Sequence, residues 1–448
     1  MMPIHVKKGY DLKIEGKPSL DLVTCAKPAR VAALPEKIPF IKPKLAVDTG
    51  DRVNVGSVLF FDKRNPLIRF LSPGGGAVEQ IEFGPRRVIR KIVVALDDTE
   101  ESESFLSISE KDLENTPREA LVRAILIGGL WPLLRGLPFR DIANPEVAPP
   151  AIFVSLDATE PFQPEPEVYL AGKTDLFQYG IKVLRKLVKG RIHIAAPEGR
   201  LTGDEAIDAS ITHRYSGCYP AGDPGVILYH IKGSSAENRS WYIHGQDLLL
   251  LAQLLKTGMY PTERIIALAG DAAENRSHVK TRIGVPISHI IGDATEGDAD
   301  IRPIVGGVFT GYTGDRDSFI GFYETALTLI NRGDQREFLG FVRPGFWKNS
   351  YSRAFLSSFN RSDLKMDCSV HGDVRACVAC GSCNRICPVD ILPQLTFKAI
   401  LADDVDDALS HGMLDCAECG LCTYVCPSKI ELAGILKGAK MAYFKEQA

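Results

Sequence analysis

Eleven cysteines occur in the chain, and nine of them fall between Cys368 and Cys426. Eight of the nine form one pattern written twice. The first copy is Cys377-x2-Cys380-x2-Cys383-x3-Cys387-Pro388, and the second is Cys416-x2-Cys419-x2-Cys422-x3-Cys426-Pro427. Three thiolates at three-residue intervals can wrap a tight loop around three irons of a cubane, while the fourth, beside a proline, points away to a second cluster. The spacing therefore predicts two 4Fe-4S clusters with exchanged fourth ligands. Cys377, Cys380, Cys383 and Cys426 would hold one; Cys416, Cys419, Cys422 and Cys387 would hold the other. Zinc suits the pattern poorly, because zinc knuckles set two short ligand pairs far apart. Disulfides in a secreted chain would be spread along it. Pro388 and Pro427 ligate nothing and end each loop. Cys368, nine residues ahead of the first motif, has no slot in it and reads as a plain thiol, as do the isolated Cys25 and Cys218.

The elements that must position these cysteines read as helices. From Leu395 to Leu409 the apolar residues Phe397, Ile400, Leu401, Val405, Ala408 and Leu409 have helical spacing, with Gly412 as a stop. Leu432, Ile435, Leu436 and Ala439 repeat the same period after the second motif. The module is thus expected to be an α-helical ferredoxin over residues 371–448. Asp415 and Glu418 flank the second motif, where negative charge should lower a cluster's potential. Lys437, Lys440 and Lys445 on the last helix read as a solvated face.

The remaining chain belongs to an ordinary globular protein: 448 residues, 45% hydrophobic, 24% charged, formal net charge −3. That balance lacks the basic domain expected of a nucleic-acid binder. Met1 to Tyr10 contains no apolar signal sequence. The longest apolar run, near Leu248 to Leu255, falls far short of the ~20 residues of a membrane span. The chain is therefore expected to be cytoplasmic, attached to a membrane only through partners.

Residues 1–96 read as a β domain of barrel-sandwich type, with runs such as Val58 to Phe61 and Ile89 to Val94 between turn formers. Lys63 lies where a lipoyl or biotinyl lysine would, but a docking role is preferred. The acidic stretch Asp97 to Glu101, with Glu103, reads as a solvated connection. Residues 97–255 alternate strands (Ala151 to Leu156, Ile192 to Ala196) with helices (Asp175 to Leu187, Gln246 to Leu255), the signature of an α/β domain. Residues 256–330 return to β character at Ile265 to Ala269, Val285 to Ile291 and Ile304 to Val308, resembling a β-grasp domain of the soluble-ligand-binding type. Residues 331–370 form a connection into the ferredoxin module.

No segment gives the Gly-x-Gly-x-x-Gly turn of a dinucleotide site. The nearest stretches, Ile127 to Trp131 and Pro73 to Gly76, do not match it, Gly74 to Gly76 reading as a turn, and Gly292 to Thr295 is too slight a match for a flavin attachment signal. The turn-rich loop Ser216 to Gly225 could line a pocket, with Tyr219 or His230 as polar contacts, although a surface loop is the plainer reading.

Several stretches resemble the A subunit of the Na+-translocating NADH:quinone oxidoreductase: Ile4 to Gly16, Ser216 to Gly225, Leu268-Ala269-Gly270, and Glu337 to Gly340 through Pro344-Gly345-Phe346. The resemblance implies a peripheral subunit on the cytoplasmic side of the inner membrane, associated with quinone and with residues 97–255 as a Rossmann-like α/β core, whose partner subunits oxidise NADH and move sodium. Typical members lack the paired cysteine motifs and carry Pro-His-Pro where this chain has Cys218-Tyr219-Pro220. The C-terminal module instead resembles that of the C subunit of the related Rnf (ferredoxin:NAD) complex, which would bring its own flavin and NADH site. The Gly-rich sequence for that site is missing here, so flavin stays open and an electron-relaying A-type subunit is the preferred reading.

Overall fold

In the computed structural model, the described residues are 2–157, 159–199, 202–292, 300–333, 339, 342, 345–348, 350–352, 355–368 and 372–447. Asp293 to Thr295, Glu337, Phe338, Gly340 and Pro344 lie outside them.

The centre of the chain builds a seven-stranded sheet among the described residues. Met2–His5, His213–Ser216, Arg191–Pro197, Ala151–Ser155 and Trp241–His244 run parallel in that order. Arg135–Gly136 and Asp141–Ile142 extend it antiparallel. Every residue of Ala151–Ser155 is buried, as a parallel strand covered on both faces should be. The helix Gly245–Thr257 is apolar on nearly every side, and it packs between the sheet and the helix Thr174–Leu187. It ends at Gly258, whose φ of 70° is left-handed, and a Cβ there would stand 2.6 Å from the Phe105 carbonyl oxygen. Only glycine satisfies both demands.

Two small antiparallel sheets form the first part of the chain. One orders Arg30–Ala33, Ile89–Leu96, Gly76–Phe83 and Arg52–Val53; the other orders Pro43–Leu45, Val58–Asp62 and Asn65–Leu71. Lys63 is exposed in the turn between the last two strands. A six-stranded sheet follows, in the order Tyr312–Thr313, Ile301–Val305, Ala326–Asn331, Glu263–Ala269, Ser277–Arg282 and Leu22–Thr24. The first residues of the chain are therefore shared out: Met2–His5 joins the α/β sheet, and Leu22–Thr24 the six-stranded one.

Two sequence expectations give way in this region. The stretch Val285 to Ile291 is not a strand, because Ile287–Ile291 is a short helix whose Ile287 and Ile290 face inward. Glu100 is no solvated linker residue: it accepts from Gly75 N at 2.7 Å and pairs with Arg282 at 2.6 Å and Lys27 at 3.0 Å. Arg282 also donates to the Pro73 carbonyl, so this carboxylate ties the β-layered part to the six-stranded sheet.

Among the described residues of 372–447 the only regular elements are helices, namely Ser382–Ile386, Pro393–Leu401, Val405–Ser410, Leu421–Tyr424 and Leu432–Gln447 with a 3-10 turn at Met413–Asp415. The helical pattern read from Leu395 to Leu409 breaks in two. Asp404 caps the second piece through the Asp407 N–H (2.9 Å) after Asp403 turns left-handed. Aspartate competes for backbone donors in this way and starts helices better than it continues them.

Candidate metal centre

The two motifs fold alike. In each loop the residue before the second cysteine and the one after it are left-handed: Ala379 (φ 53°) and Gly381 (φ 69°), then Glu418 (φ 56°) and Gly420 (φ 79°). Asp390 and Lys429, three residues past each fourth cysteine, are left-handed as well. A left-handed backbone costs a residue with a Cβ about 1–2 kcal/mol. Its recurrence at equivalent positions marks a conformation that both loops need, one that curls the chain around a central space. The Gly420 site also lies against the Phe309 carbonyl, 2.9 Å from where a Cβ would be.

Each curled loop borders a cavity. One is lined by Cys416, Cys419 and Cys422 together with Cys387. The other is lined by Cys377, Cys380 and Cys383 together with Cys426. The fourth cysteine of each motif thus faces the cavity of the other. Hydrogen bonds hold the two motifs in this arrangement. Arg375 N donates to Ser428 O (2.9 Å) and Ser428 Oγ to Ala376 O (2.9 Å), tying the chain before Cys377 to the chain after Cys426. Leu392 N donates to His411 O (3.3 Å), tying the chain after Cys387 to the approach to Cys416. Cys25, Cys218 and Cys368 line neither cavity.

The two sites differ in exposure. Cys377 and Cys380 at the first site are exposed, whereas none of the four cysteines at the second is, Cys387 and Cys422 being buried. Burial pushes the Cys387 thiol up to about 11 and raises Cys416 and Cys422 for the same reason. Cys380 is lowered instead, by hydrogen bonding at Ser382. A buried thiol with a raised pKa keeps its proton until a metal displaces it.

The α/β part of the chain holds the second motif's loop. Tyr219 is buried, donates to Cys419 O at 2.9 Å and stacks on Phe309 with ring centroids 5.0 Å apart. Arg140 bonds both Asp223 (2.7 Å) and Ala417 O (2.9 Å). Lys232 pairs with Asp415 at 2.8 Å, Lys8 pairs with Asp390, and His230 meets Pro388 O at 3.2 Å. The loop Ser216 to Gly225 is therefore not a plain surface loop, since Tyr219 to Gly222 are buried and Tyr219 bonds the module.

The last helix departs from expectation too. Lys437 and Lys445 are exposed, but Lys440 is only 1% exposed. Its ammonium donates to Glu418 Oε1 (2.8 Å), Pro138 O (2.9 Å) and Cys416 O (3.0 Å). Burial would raise the Glu418 carboxyl, but Lys440 and Arg140 outweigh it and hold that group below the usual carboxylate range. In the sequence, Tyr219 and His230 stand out only as pocket candidates, and Arg140, Lys232 and Lys8 do not stand out at all. Nothing local flags them, because their partners lie up to hundreds of residues away.

Comparison with known proteins matches three successive families. The NqrA N-terminal barrel-sandwich hybrid domain covers residues 4–97, the NqrA second alpha/beta domain residues 116–260, and a 4Fe-4S dicluster domain residues 369–427. Over most of its length the chain is similar to the A subunits of Na(+)-translocating NADH-quinone reductases. That of Klebsiella pneumoniae (strain 342) is 33% identical over 415 residues, 92% of each chain. That of Pseudomonas aeruginosa strain PAO1 is 34% identical over 418 residues, again 92% of each. That of Rhodopirellula baltica is 33% identical, covering 92% of this chain and 91% of the relative.

Proposed function

Because the chain belongs to the A-subunit family of the Na(+)-translocating NADH-quinone reductase, an oxidoreductase complex, we propose that it relays electrons within that complex through two 4Fe-4S clusters. The observation that carries the proposal is the pair of similar cavities, each bordered by three cysteines of one motif and the fourth of the other. Cys377, Cys380, Cys383 and Cys426 would hold one cluster, and Cys416, Cys419, Cys422 and Cys387 the other. Among the described residues no three His, Cys, Asp or Glu groups are gathered as one metal ion would need, whereas a cubane spreads its four thiolates wider than the ~2.3 Å Zn–S bonds of a single tetrahedral ion allow. When bound, the clusters supply one-electron transfer.

The chain's own residues shape the route. Leu421, Leu436 and Val389 wall the more buried cavity with apolar surface, while Cys377 and Cys380 stay near solvent, where a partner can approach. The chain would then act as a peripheral subunit on the cytoplasmic side of the membrane. In support, no helix among the described residues is long and apolar enough to cross one. Family membership extends the proposal to quinone at this subunit.

We divide the chain as 1–96, 97–255, 256–330, 331–370 and 371–448, with Met2–His5 of the first part lent to the α/β sheet and Leu22–Thr24 to the six-stranded one. In the third part, Glu263–Ala269 pairs antiparallel with Ser277–Arg282 and parallel with Ala326–Asn331, an arrangement that supports a β-grasp. The test is the complex purified with its membrane subunits. About eight irons per chain and centres that cycle by one electron are expected; absence of iron, or centres that never change oxidation state, would overturn the reading.

A further inference from the structure

The two cysteine loops are near copies, yet a buried charge is built into only one of them. Where the second loop has Glu418, the equivalent left-handed position of the first is Ala379. Glu418 borders the cavity of Cys416, Cys419, Cys422 and Cys387, and Lys440 reaches it from the last helix, with its Nζ also 3.0 Å from Cys416 O. The partner charges around the pair are already matched, Arg140 with Asp223 and Lys232 with Asp415. Lys440 is therefore the cation in direct contact with Glu418, with Arg140 acting on it from further away. At the first site the nearest cation is Arg385, which donates to Cys380 O and Ser382 Oγ from an exposed surface.

We propose that the buried Glu418–Lys440 pair tunes the second motif's site, with Lys440 as a positioning residue that keeps a neighbouring carboxylate from lowering its reduction potential. The inference rests on the reading that this site holds a cluster. Reduction adds one electron, so a nearby anion disfavours the reduced state and a nearby cation favours it, more strongly in a buried site. Opposite charges held 2.8 Å apart nearly cancel. Each alone would not.

The experiment is an EPR-monitored redox titration of the purified complex carrying wild type, Lys440→Met, Glu418→Gln, the double variant and Lys440→Arg. Removing the cation should shift one midpoint down, and removing the carboxylate should shift the same midpoint up. The double variant should return it near wild type, and Lys440→Arg should restore it. The other midpoint should stay in place throughout, a pattern that loosened packing would not produce. Should Lys440→Met fail to assemble, the near-isosteric Glu418→Gln decides alone: an upward shift supports the proposal, and an unchanged midpoint overturns it. Two midpoints that do not respond to either charge overturn the tuning while leaving the relay intact. A wild type without clusters overturns both.

Discussion

The phenol of Tyr219 donates to the backbone carbonyl of Cys419 across 2.9 Å, joining residues two hundred positions apart. Asp11 fixes the other end of Tyr219 by accepting from its backbone N–H at 2.8 Å. Through this bond the α/β part of the chain holds the loop that carries three cysteines of the second motif. The ferredoxin module is thus docked at its chemistry, not merely tethered to the chain.

Replacing Tyr219 by Phe should keep the stacking on Phe309 and leave the Cys419 carbonyl without its donor. A buried acceptor stranded in this way costs about 1–3 kcal/mol. Tyr219→Ala, which also loses the ring, should cost about 3–5 kcal/mol by the precedent of large aromatic truncations. Calorimetric unfolding of the full chain measures both, and a Tyr219→Phe melt identical to wild type would mean the bond contributes nothing.

Acid stability should depend on His193. Its ring stacks on Phe153 at 4.8 Å and faces His213 at 4.9 Å. Burial, then the neighbouring His213 and Arg191, lowers its pKa to about 4. An unfolded chain binds that proton near pH 6.5, so between pH 6.5 and 4 the unfolded state holds more protons and stability falls as pH falls. His193→Phe, which preserves the stack, should flatten this part of the pH–stability curve. Equal slopes in the two proteins would contradict the assignment.

Asp247 and Arg264 form a buried ion pair at 2.5 Å, with side chains 7% and 2% exposed. It links the helix Gly245–Thr257 to the strand Glu263–Ala269, and Arg264 also donates to Phe322 O at 2.9 Å. Asp247→Ala strands a buried guanidinium and should cost about 3–5 kcal/mol. Replacing both by apolar residues of similar size should cost much less, because no charge is then left alone. Urea unfolding of the single and double variants tests the difference.

What can be read from the sequence follows from what acts locally. Each cysteine spacing is a property of a short loop, and each amphipathic helix shows its own period, so the helical module with its paired motifs is legible in the residues themselves. The helix Thr174–Leu187 and the Gly258 stop are legible for the same reason. Lys440 escapes such a reading because a lysine on a helix normally faces water; only the folded chain brings Pro138, Cys416 and Glu418 around it. Ile287–Ile291 escapes it because a short apolar run has no period with which to choose between helix and strand. Glu100 shows that an acidic stretch is a solvated link only when no distant cation is folded onto it.

The three cysteines outside the motifs give a control. Cys25→Ser, Cys218→Ser and Cys368→Ser should each leave the iron content of the purified complex unchanged, since none borders either cavity. Loss of about four irons in any one of them would mean that a ligand has been misassigned.

The central claim is that two clusters exchange their fourth ligands, and the most direct test compares Cys387→Ser with Cys419→Ser and Cys380→Ser by EPR and iron analysis of the purified complex. The account predicts that Cys387→Ser perturbs the same spectral component as Cys419→Ser and leaves the Cys380→Ser component intact. If Cys387→Ser instead perturbed the component lost in Cys380→Ser, each motif would hold its own cluster and the exchanged scheme would be wrong.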